Sequence, residues 1–162
     1  MGRKFTEGEK KMFLEVLSDT RKDSRFDEMC NYIQHGNTTV WEHCLHVAQT
    51  AYCIARRFHF DVDEKALIRG ALLHDYFLYD WHEKTLPNKI HGFTHPTKAL
   101  KEASADFKLK QVERDMIRHH MFPLTITPPK TTEGKILCVA DKICATGETV
   151  GTRMDRLKRR FL

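Results

Sequence analysis

The sequence predicts an all-α fold, a compact single-domain helical bundle over residues 1–162, and three observations predict it. Apolar residues recur at intervals of three and four through most of the chain. Threonine followed three residues later by glutamate, at Thr6–Glu9 and Thr39–Glu42, marks two helix starts. Strand signals are weak throughout, and helices that bury one stripe against one another are then the simplest way to build a core.

Taken in order, Thr6 to Ser18 is a packing helix, with Phe5, Met12, Phe13, Val16 and Leu17 on one side. Ser24 to Gln34 reads as a second helix, with Phe26, Met29, Cys30 and Ile33 turned inward and His35-Gly36-Asn37 as its stop. A long helix runs from Thr39 to about Phe58, with Val40, Cys44, Val47, Ala48, Ala51, Ile54, Ala55 and Phe58 as its buried stripe. Asp63 caps the next, in which Leu67, Ile68, Ala71, Leu72 and Asp75 share a face. Asp80 to Phe93 is polar and aromatic and reads as a loop over one end of the bundle. Thr94-His95-Pro96 opens a helix through Ala103, with Pro96 in its first turn. Leu109 to His120 is helical, and Pro123 forces the exit. Ile136, Val139, Ala140, Ile143 and Cys144 mark the last apolar helix.

Composition narrows the class. A chain of 162 residues can bury a core without disulfides, and its five cysteines, odd in number and without C-x-x-C spacing, read as reduced core thiols. No basic, apolar leader and no apolar run of about 18 residues is visible, so a cytoplasmic enzyme is the expectation. The net charge of +5 owes much to Arg153, Arg156, Lys158, Arg159 and Arg160, which read as a solvated helix face or tail. Ten histidines, by contrast, are many for this length.

Several of them intrude on apolar helices. His43 and His46 lie three apart on one flank, and either could face the core. His74-Asp75 closes an apolar run, His95 stands at a helix start, His119-His120 at a helix end, and Asp141 is embedded in a buried stripe. A buried imidazole or carboxylate needs partners, because an unpaired buried charge costs several kcal/mol or is neutralised by a shifted pKa. A divalent metal satisfies both residue types at once, and Mn, Fe, Co, Ni and Zn all accept them.

The order and types of these residues resemble the HD-domain superfamily of metal-dependent phosphohydrolases, over roughly residues 41–148. His43-Cys44-Leu45-His46-Val47-Ala48 matches that family's H-x-x-x-V-A, which selects His43 over His46. His74-Asp75 matches the name-giving pair, and Asp141 the closing aspartate of a V-A-D-K run. The extra histidine and the tandem pair look like the two-metal members. The resemblance implies His43, His74, Asp75 and Asp141 on one metal, with Asp75 bridging to a second held by His95, His119 and His120. Iron or manganese is the implied metal. Leu78 stands where the HD-GYP branch has lysine, and Met121-Phe122-Pro123 replaces its Gly-Tyr-Pro loop. A small stand-alone hydrolase of a nucleotide or another small phosphate ester therefore fits better than a cyclic-di-GMP phosphodiesterase.

In such a centre, two metals about 3.5–4 Å apart hold a bridging hydroxide for in-line attack on phosphorus. Asp75 would position that bridge. Lys84, Lys98 and Lys142 are the candidate cations for the phosphoryl charge, Lys142 also as a catalytic group, and Asp80 or His82 the candidate proton donor to the leaving group. Two other readings share the scaffold: a di-iron oxygenase of the same family type, and a non-catalytic nucleotide- or RNA-binding module using the basic tail. Against the last, no aromatic stacking motif of the usual nucleic-acid modules is present.

Overall fold

The computed structural model describes residues 4–35, 37–78 and 91–150. Among these the regular structure is helical apart from one small hairpin. Helix α1 spans Glu7–Arg21, α2 Val40–Arg57, α3 Glu64–Leu73, α4 His91–Asp106, α5 Gln111–His119 and α6 Thr132–Val150. Both threonine capping boxes form: Thr6 and Thr39 each accept from the amide three residues on, while Glu9 and Glu42 return to the cap amides. Asp63 accepts from the Ala66 amide and starts α3. Each bond satisfies an amide that the first helical turn leaves without a partner.

α3 is the central element. It packs on α1, α2, α5 and α6, and Ala66, Leu67, Ile68, Ala71, Leu72 and Leu73 are all buried. Helix α2 lies against α3 and α6, and α5 joins α3, α4 and α6. The ends of α3 and α5 and the middle of α6 thereby meet beside the first turn of α2. No helix of the described residues is long and apolar enough to cross a membrane.

The second expected helix, Ser24 to Gln34, does not form. A 3-10 helix at Phe26–Asn31 is followed by strand β1, Ile33–His35, paired antiparallel with β2, Thr38–Thr39. Phe26 and Met29 are fully buried, but Cys30 and Ile33 are exposed. The apolar spacing of three thus fits 3.0 residues per turn, and the pairing of Ile33 with Thr39 takes over where a stripe of 3.6 residues would have continued. Cys30 is accordingly not core, and Phe58 at the end of α2 is also exposed. Helix α4 begins at His91 rather than Thr94, which puts Pro96 inside the helix instead of in its first turn. There it lacks the amide hydrogen that the carbonyl of residue 92 would otherwise take.

Candidate metal centre

Five helices each deliver one part of a buried polar cluster. His43 comes from the first turn of α2, His74 and Asp75 from the end of α3, His95 from α4, His120 from the end of α5 and Asp141 from the middle of α6. Their relative exposures run from 0% to 8%, so none is a surface residue. Three overlapping trios, His43-His74-Asp75, His74-His120-Asp141 and Asp75-His95-His120, each keep their donor atoms within 4.8 Å of one another.

Main-chain carbonyls orient two of the rings. His74 Nδ1 lies 2.7 Å from the Ala71 carbonyl oxygen and His120 Nδ1 2.9 Å from that of Ile117. A carbonyl can only accept, so each Nδ1 carries the hydrogen, and in the neutral ring the lone pair is left on Nε2, facing inward. His43 is held in the same sense by a carboxylate: its Nδ1 is 2.9 Å from Glu148 Oε2, and its Nε2 is 3.1 Å from Asp141 Oδ1.

Asp75 stands between the rings. Its Oδ1 is 3.1 Å from His95 Nε2 and 3.3 Å from His120 Nε2, and its Oδ2 is 3.4 Å from His74 Nε2 and 3.7 Å from His43 Nε2. Yet among the described residues His74 Nε2 and Asp75 Oδ1 are buried without a hydrogen bond, despite these short separations. His95 Nε2 and His120 Nε2 approach to 2.8 Å. Imidazole nitrogens and carboxylate oxygens crowded together in a dry interior need a proton or another cation among them.

Protons take that place when no other cation does. Burial pulls His43 down, but Asp141 and Glu148 outweigh it and hold the imidazole up at about 10. Burial likewise opposes a charged His74, and Asp75 beside it raises the ring well above its ordinary value. The carboxyls move the other way. Burial favours neutral Asp75 and Asp141, but the neighbouring imidazoles hold both well below the carboxylate range. The His120 imidazole is lowered, chiefly by burial. A site that gathers this much negative charge around imidazoles fits a divalent cation, whose binding would release the protons. Four imidazoles and two carboxylates suit the borderline transition metals.

The structure brings together six of the seven expected ligands. His119 stands apart, and no trio includes it. Its neighbour His120 is still in the right-handed helical conformation, so the two side chains diverge by about 100°. His119 Nδ1 pairs instead with Asp115 Oδ1 at 3.0 Å. His119 also lines a cavity of about 330 Å³ with Arg118, Phe93, Thr125 and Ile126. His46 is buried, but outside the trios, 3.5 Å from Glu148 Oε1. Lys142 Nζ points to the carbonyls of Cys138 and His120, at 3.2 and 3.4 Å, as a helix-end cation does. Lys98 is half-buried on α4, one turn beyond His95. Asp80, His82, Lys84 and the basic run Arg153 to Arg160 lie outside the described residues.

Three contributors escaped the sequence reading. Glu148 falls seven residues after Asp141 and four after Cys144, on the same buried stripe, so the rule that singled out Asp141 applies to it too. Its carboxyl is pulled down to about 2: burial opposes the charge, and His43 and His46 outweigh it. Asp115 accepts from the Lys130 and Thr131 amides and the Thr131 hydroxyl while it pairs with His119. Gln34 Nε2 donates to Asp75 Oδ2 at 2.6 Å, from a strand that no periodicity announced.

The family model for the HD domain matches residues 40–146 of the chain. No curated protein and no solved structure matches it.

Proposed function

The chain belongs to the HD-domain family, and from that premise we propose that it is a metal-dependent phosphohydrolase of a phosphomonoester or phosphodiester, in a nucleotide or another small phosphate compound. The observation that carries this reading is the position of Asp75, whose two oxygens serve two different sets of imidazoles. One carboxylate shared in this way is the arrangement that a pair of cations requires.

His43, His74, Asp75 and Asp141 would hold one divalent ion, and Asp75, His95 and His120 a second. Bound there, such ions supply Lewis acidity for the phosphoryl oxygens and a water ionised at neutral pH. The protein's part is placement. Glu148 and the Ala71 and Ile117 carbonyls fix which ring nitrogen carries the lone pair. Leu72, Leu73, Tyr76 and Phe77, all fully buried around the His-Asp pair, keep bulk water away and strengthen every charge interaction inside. The Arg118 guanidinium, one hydrogen bond of which goes to Thr97 Oγ1, lines the cavity beside His119 and offers a cation for a phosphate group. Asp80 or His82 serves as proton donor to the leaving group.

The test is metal analysis together with a phosphatase and phosphodiesterase panel in Mn, Co and Fe, comparing the native chain with Asp75→Ala. The native chain should retain metal and release phosphate or a nucleoside monophosphate, and the variant should lose both. Full metal content and turnover in Asp75→Ala would remove the assignment. Oxygen consumption without hydrolysis in the iron-loaded chain would transfer it to the oxygenase class.

A further inference from the structure

We propose that Gln34 is a positioning residue of the metal centre: its amide sets the rotation of the Asp75 carboxylate and so decides whether one oxygen reaches the His95–His120 side. The inference rests on the metal-centre reading above. It concerns a residue outside the family-matched segment, 40–146, so the family resemblance does not supply it.

The last torsion of an aspartate side chain is broad and roughly two-fold, with little preference of its own. Whatever binds one oxygen therefore aims the other. Gln34 Nε2 sits 2.6 Å from Asp75 Oδ2, and Oδ1 then lies 3.1 and 3.3 Å from His95 and His120 Nε2. The amide orientation is fixed by the same contact, because the carbonyl end of Gln34 would meet a carboxylate oxygen as one acceptor meets another.

Gln34 is 5% exposed, and its Oε1 is buried with no hydrogen bond among the described residues. A glutamine buried with half its amide unsatisfied costs free energy, and the bond to Asp75 is what is obtained for it. The hairpin holds the side chain there: Val40 donates to the Tyr32 carbonyl, Ile33 pairs with Thr39, and Thr39 caps α2, the helix that carries His43.

The residue type fits the task. A lysine or arginine at position 34 would neutralise Asp75 and compete with a cation, and a glutamate would repel it. A neutral donor restrains the carboxylate and leaves its charge available. Outer partners of this kind typically change metal affinity about 10–100-fold when removed.

The experiment measures Mn and Co binding to the full chain by calorimetry, and the visible spectrum of the Co-loaded protein, for the native chain, Gln34→Met and Gln34→Asn. Methionine keeps the volume without the donor. Asparagine keeps the amide but falls short by one methylene. Both variants should fold, as read by circular dichroism, bind metal about 10–100-fold more weakly, and show an altered Co spectrum. If one fails to fold, the other decides. Native affinity and an unchanged spectrum in a folded variant would overturn the role of Gln34 alone. A native chain that takes up no cation would overturn the centre itself and this role with it.

Discussion

His43 Nδ1 meets Glu148 Oε2 at 2.9 Å across 105 residues of sequence, so the first turn of α2 and the far end of α6 share one hydrogen bond. That bond assigns the ring hydrogen and directs Nε2 to Asp141. Glu148→Ala should weaken metal binding about 10–100-fold. Glu148→Gln, whose amide oxygen accepts the same N–H, should restore most of it. Calorimetric titration with Mn or Zn distinguishes the two, and equal losses would mean that the charge matters and the ring orientation does not.

The tandem histidines should separate cleanly. His120→Ala removes a donor present in two of the three trios and should lower metal content per chain sharply. His119→Ala should keep the metal and lower only the melting temperature, since its described partner is Asp115. Metal analysis of both purified variants checks this. A His119→Ala chain as depleted as His120→Ala would return His119 to the ligand set.

Asp115 ties α5 to the start of α6. Burial raises its carboxyl, but the Thr131 and Lys130 N–H groups and the Thr131 hydroxyl hold it below its ordinary value. A folded value below the unfolded one, which lies at about 3.9, means that this stabilisation is fully present above the unfolded value and is lost as pH falls through the folded one. Melting temperatures from about pH 7 to pH 3 should therefore fall less steeply for Asp115→Asn than for the native chain. At neutral pH, Asp115→Ala should cost about 2–3 kcal/mol, because it strands buried donors.

Gly134→Ala should destabilise, although alanine is the better helix former by about 1 kcal/mol. A Cβ at position 134 would lie 2.6 Å from Pro129 Cβ, 3.0 Å from Thr131 Oγ1 and 3.2 Å from Asp115 Oδ2. The proline ring cannot yield as a flexible side chain would, and the cluster around Asp115 has to shift. We expect a net loss of about 1–3 kcal/mol by thermal or urea unfolding. A more stable variant would show that the loop before α6 adapts freely.

Most of the helices and the buried polar cluster were legible because both rest on local pattern. Thr6, Thr39 and Asp63 announce their helices through chemistry confined to three residues. His43, His74, Asp75 and Asp141 stand out because polar groups in apolar stripes demand a reason. What was not legible depends on partners far along the chain. Residues 33–35 form a strand only because Thr38 and Thr39 return beside them. Gln34 acquires meaning only through Asp75, 41 residues away. His119 adjoins His120 in sequence, but the backbone keeps its helical turn through His120, and only three-dimensional placement separates the two side chains.

The rings of His74 and His120 are both steered by the carbonyl three positions earlier, on Ala71 and Ile117. Peptide oxygens are common to every amino acid, so the side chains at those two positions answer to the packing of the core and not to the chemistry their carbonyls serve. Glu148 enjoys no such freedom, because its contribution lies in atoms that most replacements would delete. Substitutions at the buried positions 71 and 117 should therefore act through packing alone, whereas those at 148 act on the ring itself, an asymmetry that a saturation screen scored on metal retention among folded variants would expose.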